Sequence, residues 1–268
     1  MALIFAEDDV EIRSTIAHHL LRGFKSVLVF LPSPIVAPEN LASDVKIIRY
    51  DTLADGAVPQ AINAVINAAP VIWMYYCYNA EYLFYPFCEP RNIGELLEFN
   101  TSEDRNAMMI FVIDLYAADL TTTPNAVSLV DAMIDATRYY ALARTDPDNH
   151  NSLKERQLDF YGGLRWRFKQ YAPKTQRRID RVALFLCKRR PQLQTDEAFN
   201  NPEYNTYTGA WHNSPSAAIL SFGAAKALQV NAPNRFAHKG FQWPGYAPFE
   251  WRSEQLLQLG LIEAGQWF

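Results

Sequence analysis

Acidic side chains at three places have the type and setting to do chemistry. Glu81 stands in Asn79-Ala-Glu-Tyr-Leu-Phe84, after an aromatic, strand-like run. A carboxylate there can assist in holding a metal ion or a substrate, or else cap a turn or pair with Arg91. Asp114 follows the apolar run Met108-Met-Ile-Phe-Val-Ile113, where it could orient a hydroxyl or take its proton as a general base; an N-cap or turn former has the same signature. Glu7-Asp8-Asp9 precede a helical pattern, which suits a ligand contact or favourable charge at a helix start. His18 and His19 are neighbours, about 100° apart on a helix, so they cannot face one ion together and read as structural. Cys77 has no evident base partner, and no Ser-His-Asp order with a nucleophile elbow occurs, so hydrolase chemistry has no positive support.

The elements that must position these residues alternate. Residues 2–5 are apolar, Ile12, Ile16 and Leu20 follow at four-residue spacing, and Gly23 stops the pattern, which predicts strand, helix, stop. Ser26–Leu31 has the continuous apolar character of a buried parallel strand, and Pro32, Pro34 and Pro38 then exclude regular structure. Val45–Tyr50 reads as a strand, Val58–Ala68 as a helix, Val71–Tyr76 as a strand, Glu95–Phe99 as a short helix and 108–113 as another strand. This alternation is the α/β signature, and ligands in such sheets gather at the carboxyl ends of strands. Later, Arg144–His150 reads as a polar loop and Tyr161–Gly163 as a turn, with strands at 182–186 and 217–222. The aromatic tail from Phe236 to Trp251 reads as packing over the sheet.

Composition removes whole classes. With 268 residues, 49% of them hydrophobic, the chain can build a core over most of its length. A net charge of −4 lacks the clustered basic surplus of a nucleic-acid binder. Gly is scarce, 11 residues, with neither a GxGxxG nor a GxxxxGK[ST] cradle, which removes the main support for Rossmann and P-loop readings. Three cysteines without zinc spacing fit a reducing, cytoplasmic compartment. The amino terminus lacks a signal peptide's basic leader, and no apolar stretch approaches the roughly 18–20 residues of a bilayer crossing, so any membrane contact would be peripheral.

Two segments carry a resemblance. Glu7, Ala17-His18-His19 and Gly23 match one motif; Trp73 and Glu81-Tyr82-Leu83 match a second, with Pro86, Ile93 and Glu95-Leu-Leu97 keeping its spacing. Ile113-Asp-Leu-Tyr-Ala117 and Tyr161-Gly-Gly-Leu-Arg-Trp-Arg-Phe168 look like later landmarks. Over most of residues 1–225 the chain resembles glycosyltransferase family 2 proteins of the group that includes the family 92-like enzymes.

The resemblance implies a single nucleotide-diphospho-sugar transferase domain of the GT-A type, with a mostly parallel central sheet flanked by helices. Residues to about 140 would bind the nucleotide and about 141–268 the acceptor side. It also implies an Asp-x-Asp motif holding a divalent metal against the departing diphosphate. Tyr78-Asn79-Ala80 occupies those positions here, and the aspartate of the second strand falls at Leu31 within Phe30-Leu-Pro-Ser-Pro34. No cofactor is therefore expected; manganese or magnesium would enter only through an alternative metal site. If active, the chain would transfer a sugar with inversion from a nucleotide-sugar to a glycan or lipid-linked acceptor, with Asp114 and Glu81 as catalytic candidates. Glu7, Ser33, Tyr78, Ala80, His212 and Arg165 would lie on the donor. Arg165 and Arg167, Arg177-Arg178 and Lys188-Arg-Arg190 could receive diphosphate charge, or be solvated strand ends. The rival reading is a catalytically silent relative that binds glycan or a partner protein through aromatics around Tyr75, Tyr76, Tyr78 and Tyr82.

Overall fold

The computed structural model describes residues 1–173, 176–188, 190–207, 214–231 and 240–267. In chain order its elements are β1 (Ala2–Phe5), α1 (Ile12–Leu21), β2 (Val27–Leu31), β3 (Val45–Arg49), α2 (Ala57–Ala68), β4 (Trp73–Tyr78), β5 (Glu81–Phe84), α3 (Ile93–Ser102), β6 (Ala107–Ala117), β7 (Ala132–Asp135), β8 (Tyr140–Asp146), β9 (Ser152–Tyr161), α4 (Gly163–Arg167), β10 (Asp180–Leu186), β11 (Ala217–Ser221), α5 (Gly223–Asn231), β12 (Tyr246–Pro248) and α6 (Ser253–Gln258). The chain is α/β. It divides into two compact units: Met1–Leu83 with Phe87–Ile110 and Arg181–Asn205, and Phe84–Pro86 with Phe111–Asp180 and Thr206–Phe268.

The first unit has the strand order β10-β4-β1-β2-β3. β1 runs parallel to β2 and β4, β2 parallel to β3, and β10 antiparallel to β4. β1 is a wholly apolar run and is buried along its length, as a strand covered on both faces must be. Phe5 sits opposite both Phe30 and Tyr78, so β1, β2 and β4 end level and their following loops share one edge.

Helix α1 turns Ile12, Thr15, Ile16 and His19 inward, the spacing of a single helical face. Its two buried polar members find partners within the helix: Thr15 Oγ1 donates to Glu11 O at 2.7 Å, and His19 Nδ1 lies 2.7 Å from Thr15 O. Gly23, at φ +94°, ends the chain's helical course. Helix α3 begins two residues before the expected Glu95, because Asn92 and Glu95 form a reciprocal capping box.

In the second unit β7 pairs antiparallel with β6 and with β12, and β8 with β9. The expected mostly parallel sheet thus holds in the first unit, while the strand pairs described in the second are antiparallel. For β8 and β9 the cause is connection length. A parallel pair needs a long crossover, usually helical, whereas β8 reaches β9 through only residues 147–151. The core here gathers Tyr116, Leu120, Met133, Leu164 and Phe241.

Three local expectations change. Residues 144–146 belong to β8 rather than to a loop, their pattern obscured because β8 has no buried residue. Asp114 lies within β6, not after it. Gly163 starts α4 instead of closing a turn. Part of the aromatic tail does pack, since Phe241 meets Tyr116 edge to face at 5.9 Å; Phe236 lies outside the described residues. No described helix is long and apolar enough to cross a membrane. Cys77, Cys88 and Cys187 are all buried, and none is in a disulfide.

Candidate functional site

At the shared edge of the first unit, β4 turns directly into β5 through Asn79 and Ala80. Ala80 adopts φ 59°, a left-handed conformation uncommon for a residue with a side chain. Its N–H donates to Thr15 Oγ1 at 2.9 Å, which ties the turn to α1. The buried Asn79 amide is satisfied on both sides. Its Oδ1 accepts from Glu7 N–H at 2.8 Å; its Nδ2 donates to Val10 O at 2.8 Å and to Asp8 Oδ1 at 2.5 Å. Asn79 therefore acts as a bracket on the loop after β1. Its opposed donor and acceptor contacts could not be reproduced by a carboxylate, which only accepts.

Glu81 is 2% exposed. Its partner is Arg181, which approaches both carboxylate oxygens, Nη1 to Oε2 at 2.6 Å and Nη2 to Oε1 at 3.2 Å. Glu81 Oε2 also accepts from Tyr78 N–H at 2.9 Å. The guanidinium lies 5.0 Å from the Tyr78 ring centre and 5.7 Å from that of Tyr76, favourable cation–π positions. Burial disfavours the charge of Arg181, but the carboxylates of Glu81 and Glu197 outweigh it and hold the guanidinium above its ordinary pKa. Where the resemblance leads one to expect acids around a cation, the chain carries its own cation. Residues 78–81 do not fit a bound metal: the single carboxylate among them already faces a guanidinium.

The four tyrosines of the silent-relative reading do not form a surface. Tyr75 and Tyr76 are fully buried, because β4 lies between β1 and β10; Tyr82, on β5, is nearly so. The histidines are packing groups. His19 stacks on Tyr75 with ring centres 5.1 Å apart, and His18 Nε2 lies 2.8 Å from Leu83 O. Burial above all lowers their pKa values, to about 3 for His18 and about 4 for His19. Cys77 Sγ lies 3.7 Å from His19 Nε2, yet burial raises the thiol pKa, the reverse of nucleophile activation.

In the second unit Asp114 is 1% exposed. Its Oδ2 accepts from the N–H groups of Leu164 at 2.8 Å and Arg165 at 3.3 Å, at the start of α4. Burial raises the Asp114 pKa, opposed by Arg165, whose Nε lies 3.5 Å from Oδ1. Asp114 thus holds the first amides of α4 from within β6; it is not the N-cap of that helix, a position that Gly162 occupies. Arg178 and Arg144 both meet Asp180 Oδ2 at 3.1 Å, and Arg177 donates to the carbonyls of Ala172 and Lys169. These basic groups thus have internal partners. Ser33 is exposed in the turn after β2, and Glu7 is exposed after β1. His212 and Arg189 lie outside the described residues. Among the described residues no three His, Cys, Asp or Glu side chains are grouped as a metal site requires.

The sequence reading missed Arg181. The available signal was a charged pair, Asp180-Arg181, directly abutting the buried run Val182–Leu186, where an unpaired charge would be costly. No protein-family profile matches the chain, and no characterised protein matches it in sequence.

Proposed function

We propose that this chain is a relative of the family 2 glycosyltransferases in which metal-dependent donor chemistry has been replaced by an internal ion pair, and that it works as a glycan-binding protein. The observation that carries the loss of metal-dependent chemistry is the Arg181–Glu81 fork beneath Tyr78; the glycan half follows from the family resemblance and not from Tyr75, Tyr76 and Tyr82, which are buried. The strand order β3-β2-β1-β4 followed by the antiparallel β10 supports a GT-A type frame. The turn that would carry the acidic motif is bound instead to its own chain through Asn79 and Ala80. Sugar transfer with Asp114 as base is the weaker reading, since that carboxylate is buried and accepts two backbone amides. A cytoplasmic setting belongs to this reading, in keeping with three cysteines outside any disulfide.

The test is thermal unfolding with a panel of nucleoside diphosphates, with and without manganese. A ligand at a hundred times its dissociation constant stabilises a fold by about 2.7 kcal/mol. The expected result is no manganese-dependent shift for any nucleotide; a reproducible one would overturn the proposal.

A further inference from the structure

The second unit contains a cavity of about 490 Å³, a size suited to a small organic ligand. Its lining includes Trp166, Trp243, Arg138, Arg167, Lys169 and Asp135. The cations lie on aromatic faces. Arg138 and Arg167 approach the Trp243 ring centre at 5.4 and 5.5 Å, and Lys169 Nζ is 4.5 Å from that of Trp166. Such contacts fix the direction of long side chains without neutralising their charge.

The carboxylate already has partners. Asp135 Oδ1 accepts from Tyr116 Oη at 2.8 Å, and its Oδ2 lies 3.2 Å from Arg167 Nε. Arg138, Arg167 and Lys169 against Asp135 leave the lining positive.

We infer that this cavity binds an acidic saccharide, its carboxylate or phosphate group held by Arg138 and Arg167 and its ring against the indoles of Trp166 and Trp243. The saccharide half of this inference rests on the glycan-binding reading above; the anionic half rests on the excess of positive charge in the lining.

The experiment is a tryptophan-fluorescence titration of the full chain with glucuronic acid, glucose 1-phosphate, glucose and inorganic phosphate at constant ionic strength. Saturation by at least one of the two acidic sugars is expected, with apparent affinity at least about tenfold above that for glucose, and their order tells carboxylate from phosphate preference. Arg138→Gln, at an exposed position, is expected to weaken that binding about tenfold or more with the unfolding midpoint unchanged. Lys169→Gln, also exposed, serves as the second variant if the first unfolds. Glucose binding as well as the acids would overturn the anionic assignment while leaving the glycan reading intact. Inorganic phosphate binding as tightly as glucose 1-phosphate would overturn the saccharide assignment and leave only an anion site. Failure of all four to saturate would overturn the inference, independently of the manganese experiment.

Discussion

Arg181 grips Glu81 as a two-pronged fork, with contacts of 2.6 and 3.2 Å inside the first unit. Both residues are almost wholly buried, so neither charge can fall back on water. Breaking such a pair from one side is expected to cost about 3–5 kcal/mol. Arg181→Met should therefore destabilise the chain strongly in urea unfolding. The double variant Glu81→Leu with Arg181→Met should recover much of the loss. A double variant no more stable than Arg181→Met alone would show that the pair's desolvation is not what makes the single change costly.

Restoring an acid at Asn79 tests whether the turn still accommodates one. Asn79→Asp removes the donor to Val10 O and Asp8, and sets a second carboxylate against Asp8. The expected loss is about 1–3 kcal/mol, read as a lower melting temperature, and manganese should not reverse it. Stabilisation by manganese in this variant would mean that the site retains the geometry of a cation clamp.

Acidification should weaken the fold before ordinary carboxylates titrate. His18 and His19 have folded pKa values of about 3 and about 4, against about 6.5 in an unfolded chain. Below the unfolded value the unfolded chain binds protons that the native chain refuses, so stability falls as pH drops through that range. Between pH 7 and 5.5 the two histidines together should remove on the order of 2 kcal/mol. Asp114, Asp135 and Asp180 have raised pKa values, chiefly from burial, and oppose this trend as the carboxylate range is approached. Urea unfolding at the two pH values checks the sign; His18→Gln should flatten the dependence.

Gly163 is expected to resist substitution more than its conformation alone requires. It has φ +61°, and a Cβ there would lie 2.6 Å from Asp114 Oδ2. Gly260 has φ +67° and nothing within 4 Å of the same position. Gly260→Ala should cost about 1 kcal/mol for backbone strain alone. Gly163→Ala should cost more, because it also disrupts the hold of Asp114 on α4. Equal losses in chemical unfolding would show that this hold contributes nothing.

Much of the first unit was legible from residue order, since buried parallel strands are continuous apolar runs and helices repeat near 3.6. Hence β1, β2 and α1 were found within a residue or so of their bounds. The β8–β9 hairpin was not, because strands with a single buried residue between them, Gln157, carry little hydrophobic alternation. The absence of acids at Tyr78-Asn79-Ala80 was likewise plain in the sequence. What replaced them was not. Arg181 is 100 residues from Glu81 along the chain, and only the antiparallel pairing of β10 with β4 brings the two together. The sequence by itself determined which charges the chain must accommodate and which segments bury. Tertiary structure alone decided which charge meets which, because ion pairing depends on distance in space, and strand pairing sets that distance.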